Sequence, residues 1–212
     1  MNTDLNITEI FYSLQGEARE VGLPTVFIRL TGCPLRCSYC DTEYAFKGNN
    51  LMSIDAIIQE VKRHKTQYVC VTGGEPLAQI NCHTLLDALV KELCLVSLET
   101  SGSIDISEVN PSVSIVMDVK TPSSNESDQN KYDNIAKLTQ KDQLKFVIGS
   151  RQDYDWSVKL LNQYPVAAGV LFSPVFGKIT PAELADWIIK DQLNVRLQVQ
   201  MHKLLWGDEK GK

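Results

Sequence analysis

Short runs rich in β-branched and aromatic residues alternate with segments of helical spacing along most of this chain of 212 residues. The strand-like runs fall at 24–31, 68–72, 95–99, 113–119, 144–148, 169–172 and 195–200. Between them, Ile54, Ile57, Ile58 and Val61 repeat at helical spacing within 53–64, and Leu85, Leu86, Leu89, Val90 and Leu93 mark a second helix. A third helix is predicted over 153–163. A fourth begins at Thr180-Pro181-Ala182-Glu183, which supplies an N-cap, a proline at the first helical position and a glutamate three residues after the cap. Such alternation dictates a parallel sheet with right-handed crossovers. A closed eight-fold barrel takes ~250 residues. This chain is shorter and has about six core strands. The expected fold is therefore α/β, an incomplete (β/α)6-type partial TIM barrel made by a single domain over 1–212. Hydrophobic residues at 43% suffice for its core. The polar stretch 121–130, TPSSNESDQN, reads as a surface loop, and 43–52 suggests only a turn.

In a barrel of this kind the chemistry sits at the C-terminal strand ends. Polar motifs fall there: Thr31-Gly32-Cys33, Thr72-Gly73-Gly74-Glu75, Glu99-Thr100-Ser101, Asp118-Val119-Lys120 and Ser173-Pro174 each follow a predicted strand. The net charge of −5 argues against a nucleic-acid partner. No apolar run approaches the ~20 residues of a membrane helix, and the N-terminus has neither a basic start nor an apolar signal core. The expectation is a cytoplasmic protein with no membrane partner. In a reducing compartment its six cysteines are not a disulfide framework. Cys70, Cys82 and Cys94 lie in apolar segments and read as buried thiols acting as small hydrophobes.

The other three stand together as Cys33-x3-Cys37-x2-Cys40, on a loop after a strand. A structural zinc site and a ferredoxin-type cluster each want four protein ligands. No fourth is at hand, since His64 and His83 sit on predicted helices. Three thiolates on a four-iron, four-sulfur cluster would leave one iron open, as catalytic metal sites require. A molecule with amino and carboxylate groups could chelate it. The segment 71–76, VTGGEP, lets backbone approach a ligand closely because its glycines have no Cβ. Its carbonyls can accept from an ammonium group, and Glu75 adds negative charge.

With Tyr39 just before the third cysteine, this pattern resembles the radical S-adenosylmethionine superfamily. The resemblance implies a 4Fe-4S cluster on Cys33, Cys37 and Cys40 and S-adenosylmethionine at the open iron, split on reduction to a 5′-deoxyadenosyl radical. Further motifs narrow it: FYSLQGE at 11–17, Arg29, Asp41-Thr42, ETSG at 99–102, DVKTPSS at 118–124, LKFV at 144–147 and QMHKLLWG at 200–207. Together they resemble the 7-carboxy-7-deazaguanine synthase family of queuosine and 7-deazapurine biosynthesis, over residues 7–207.

That resemblance implies a lyase acting on 6-carboxy-5,6,7,8-tetrahydropterin. Hydrogen is taken from C6, the ring contracts, ammonia leaves and S-adenosylmethionine is regenerated. It also implies Mg2+ at Thr42, an external electron donor of flavodoxin or ferredoxin type, and a homodimer. Arg29 offers a planar fork for the substrate carboxylate. Leu14, Gln15 and Gly16 offer an amide and free backbone for a pterin edge, Glu17 an acceptor for its donor groups, and Thr72 a hydroxyl. Gln200 and His202 are expected on one face of a strand, with His202 toward the substrate. Cofactor contacts are expected from Tyr39, Asp41, Gly73, Gly74 and Glu75, and from Asp118, Val119, Lys120, Ser173 and Pro174. Two alternatives stand beside this reading. One is a small radical activase that installs a glycyl radical in a partner protein. The other is a non-catalytic iron–sulfur or zinc module.

Overall fold

The structure, a computed structural model, describes residues 4–207, 209 and 211. Among these, nine strands form one sheet: β1 (Leu5–Leu14), β2 (Pro24–Leu30), β3 (Leu51–Met52), β4 (Tyr68–Gly73), β5 (Leu95–Thr100), β6 (Ser114–Val119), β7 (Gln143–Ile148), β8 (Gly169–Pro174) and β9 (Arg196–Leu197). The order is β3-β1-β2-β4-β5-β6-β7-β8-β9. Strands β2 and β4 to β8 pair in parallel and make the six-stranded core of a partial TIM barrel. Helices α1 (Ile54–Val61), α2 (Cys82–Lys91), α3 (Arg151–Gln163) and α4 (Pro181–Lys190) cross over between them, and α5 (Met201–Trp206) follows β9. The cap read at Thr180 is present, its side chain accepting from the Glu183 N–H.

The two faces of each strand differ. Val26, Ile28 and Leu30 on β2, Val69 and Val71 on β4, and Val96 and Leu98 on β5 pack with the helices in one apolar core. Their neighbours face the barrel interior, where Arg29, Thr72, Glu99, Asp118 and Lys145 line a cavity. Parallel strands covered on both faces usually run apolar throughout. Strict alternation here marks the interior as a site rather than a packed core.

Four expectations need correction. First, β1 pairs antiparallel with β2, although its sequence gives no clean alternation. Second, the final strand is only Arg196–Leu197. The side chain of Gln198 is taken by Ala18, whose N–H and C=O it bonds at 2.8 and 3.2 Å, and the chain then turns into α5. His202 is therefore helical, and the strand-period argument for it fails. Third, 121–130 is not simply a surface loop. Thr121 and Ser124 are buried, and the Ser124 carbonyl accepts from the Ser38 N–H at 3.0 Å, so this segment packs against the cysteine loop. Fourth, 43–52 holds β3 and a short 3-10 turn, Glu43–Ala45, whose Tyr44 bonds Glu9.

Candidate active site

A cavity of about 590 Å³ opens at the C-terminal ends of the strands. Its two halves come from different stretches of chain. The loop after β2 brings Cys33, Cys37, Tyr39, Cys40, Asp41 and Thr42 to one side. The three thiols are half-buried. The end of β4 lies against this loop, with the Glu75 N–H donating to the Gly32 carbonyl at 2.9 Å. Gly74 has to be glycine: a Cβ there would strike the Gly32 carbonyl and come within 2.5 Å of Cys33 Cβ. Asp118 and Lys120 complete this half as an ion pair of 3.1 Å. Burial opposes the Lys120 charge, but Asp118, with Cys37 and Tyr39 nearby, together outweigh it and keep the lysine protonated. One Asp118 oxygen, Oδ1, is buried and has no hydrogen-bond partner.

The other half is internally paired. Lys145 on β7 forms an ion pair with Glu17, and Gln200 donates to the other oxygen of Glu17 at 2.8 Å. Burial alone would raise the Glu17 carboxyl, yet Lys145 and Gln200 bring it below its ordinary value. Gln15 donates to Glu99 at 3.4 Å, and the Thr72 hydroxyl donates to the same carboxylate at 3.0 Å. The Met201 N–H donates to the Gly16 carbonyl at 3.0 Å, which presses the His202 ring onto Gly16 so closely that a Cβ could not fit. Burial lowers the His202 imidazole below its ordinary value, against the pull of Glu17 and Asp41. Arg29 enters between the halves, with its Nε on Glu9 at 2.8 Å. Asp41 accepts from the Thr42 hydroxyl at 2.7 Å and stays ionised, because that bond and nearby cations overcome its burial.

Comparison with known proteins gives these positions a context. The model of the radical SAM superfamily matches residues 27–188. A 7-carboxy-7-deazaguanine synthase of Koribacter versatilis is 40% identical, over 97% of this chain and 98% of that protein. Another, of Chlorobaculum tepidum, is 39% identical over 97% and 96%. The chain belongs to the 7-carboxy-7-deazaguanine synthase family of the radical SAM superfamily. The crystal structure of QueE from Escherichia coli shares the fold, with a TM-score of 0.76 at 23% identity, covering 94% of this chain and 95% of that one.

Radical SAM enzymes hold a 4Fe-4S cluster and S-adenosylmethionine, and the donors present fit both. Cys37 is pushed up to about 11 by burial first, with Lys120 opposing and Asp118 and the other two thiols adding to it. Three thiols that resist ionisation together become thiolates when metal is bound. The orphaned Asp118 Oδ1 can accept from a cofactor N–H or O–H.

Not every residue expected at a 7-carboxy-7-deazaguanine synthase site reaches this cavity. Glu75 is fully buried and accepts from the Leu77 and Ser101 N–H groups and the Thr100 hydroxyl, tying the β4 and β5 ends together. Val119 points outward into the helix-packed core, as the two-residue period requires beside inward Asp118. Ser173 and Pro174 are buried outside the lining. Conversely, Glu99 and Lys145 line the cavity without standing among the residues expected there. A lone cation inside the apolar run LKFVI was the available signal for Lys145.

Proposed function

We propose that this cavity binds 6-carboxy-5,6,7,8-tetrahydropterin and converts it to 7-carboxy-7-deazaguanine with loss of ammonia, residues 1–212 acting as one catalytic domain. The observation that carries the reading is convergence: the three-cysteine loop, the glycine turn after β4, Arg29 and the Glu17–Lys145 pair all line one cavity. When bound and reduced, the cluster and S-adenosylmethionine supply a 5′-deoxyadenosyl radical for hydrogen abstraction from C6.

The chain's own groups hold the partners. Cys33, Cys37 and Cys40 hold the cluster. Gly73 and Gly74 bring backbone carbonyls to the methionine end, while Tyr39, Asp118 and Lys120 line the rest of the cofactor's bed. Arg29 takes the substrate carboxylate as a bidentate fork. Leu14, Gln15, Gly16 and Glu17 present acceptors and donors to the pterin edge, with Thr72 and neutral His202 beside them. Lys145 keeps Glu17 ionised as an acceptor. Thr42, oriented by Asp41, provides oxygen to Mg2+, a hard cation that prefers such ligands. A flavodoxin- or ferredoxin-type protein delivers the electron, and the enzyme works as a cytoplasmic homodimer. Among the described residues no helix is long and apolar enough to cross a membrane.

The test is a product assay. Protein purified without oxygen, with its cluster rebuilt, is given reductant, Mg2+, S-adenosylmethionine and the carboxypterin, and mass spectrometry looks for 7-carboxy-7-deazaguanine. Its formation is expected. If 5′-deoxyadenosine and methionine appear without it, the substrate is wrong. If neither appears in fully loaded protein, the non-catalytic module is the better reading.

A further inference from the structure

Glu9 lies outside the cavity lining and has no part in the proposed reaction. Its position comes from an irregularity in β1. Leu5 and Ile7 are buried in the helix-side core, whereas further along Ile10 packs on that core and Phe11 lines the cavity. Parity switches because the β1–β2 register slips between Ile7 and Glu9. One extra residue on a strand turns all that follows to the opposite face. Glu9 thus stands opposite Arg29 on the inner face.

There its Oε1 accepts from Arg29 Nε at 2.8 Å and from the Tyr44 hydroxyl at 2.7 Å. The Phe11 and Tyr44 rings sit 5.8 and 5.9 Å from the guanidinium carbon. The Arg29 and Glu9 side chains are 16% and 21% exposed, and the Arg29 Nη groups make no hydrogen bond to the described residues. A guanidinium held at Nε, between rings, offers its Nη groups to whatever enters.

We propose that Glu9, braced by Tyr44, is a positioning residue that holds Arg29 so that its Nη groups meet the substrate carboxylate. This rests on the reading of Arg29 as the carboxylate's receptor. The experiment titrates cluster-loaded protein, with S-adenosylmethionine present, against 6-carboxytetrahydropterin and against tetrahydropterin lacking the carboxylate. Glu9→Ala is expected to weaken the first about tenfold and the second by less than about twofold. Tyr44→Phe shifts the preference the same way by less. Glu9→Gln keeps an acceptor, so it recovers part of the preference and guards against an alanine variant that misfolds. Arg29→Ala abolishes the preference, and adding Glu9→Ala to it changes nothing further. Equal weakening of both ligands, or full additivity in the double variant, overturns the positioning role. If Arg29→Ala retains the preference, the receptor reading falls as well. If Arg29→Ala loses it and neither Glu9 variant does, this inference falls alone.

Discussion

The two halves of the cavity are built on opposite principles. The cysteine half sets three thiols on one short loop, free of disulfides, beside a buried Asp118 oxygen that has no hydrogen-bond partner among the described residues. The opposite half, proposed above to take the pterin and called the pterin half below, gathers Gln15, Glu17, Glu99, Lys145 and Gln200 from distant segments, and each already has a partner. One half is completed by what it binds. The other is held in shape beforehand, as preorganised recognition of a polar ring demands. The first should therefore be dispensable for folding and indispensable for activity, and the second should matter to both.

The largest expected effect tests the first claim. Alanine at Cys33, Cys37 or Cys40 abolishes iron loading and product formation, yet shifts urea unfolding of the apo-protein by no more than about 0.5 kcal/mol, since the thiols are only half-buried. Apo-variants that unfold would show the loop to be structural. Next comes Glu17→Gln. It leaves the Lys145 ammonium, only 13% exposed, without its counter-charge. Loss of one partner of a buried pair costs about 3 kcal/mol, and the double change Glu17→Gln with Lys145→Met returns much of it. Equal destabilisation by single and double variants would mean that the pair contributes nothing as a pair.

Asp118→Asn lies in between. A charged acceptor that meets a cofactor donor only on binding should weaken S-adenosylmethionine about tenfold, read by equilibrium dialysis of cluster-loaded protein. Unchanged affinity would reduce Asp118 to the counter-ion of Lys120.

The same contrast explains what the sequence reveals. The cysteine half is local: spacing within 33–42 and a glycine pair after an apolar run suffice to mark it. The pterin half is assembled through space. Nothing near Glu75 predicts that Thr100 and Ser101 will claim its carboxylate. The alternation in VRLQVQM reads as a strand, but Gln198 is drawn to Ala18, a partner 180 residues away, and the pattern ends. β1 escapes notice because its bulge breaks the period that marks a strand. Val119 was legible, since an inward Asp118 forces its neighbour outward. Lys145 was legible by the same parity.

His202 gives the smallest effect and tests the preorganised half most directly. Its folded-state value lies below the ordinary 6.5 because burial disfavours the imidazolium more than Glu17 and Asp41 favour it. The unfolded chain therefore binds the proton first as pH falls. The stability this contributes is fully present above the ordinary value and is lost progressively below it, down to the folded-state value. Urea midpoints of the apo-protein, measured from pH 8 down to about 5, should fall slightly more steeply in wild type than in His202→Gln. The variant subtracts every other group from the comparison. Parallel slopes would mean that His202 protonates freely where it sits, and that the pterin half is looser around Gly16 than its hydrogen bonds imply.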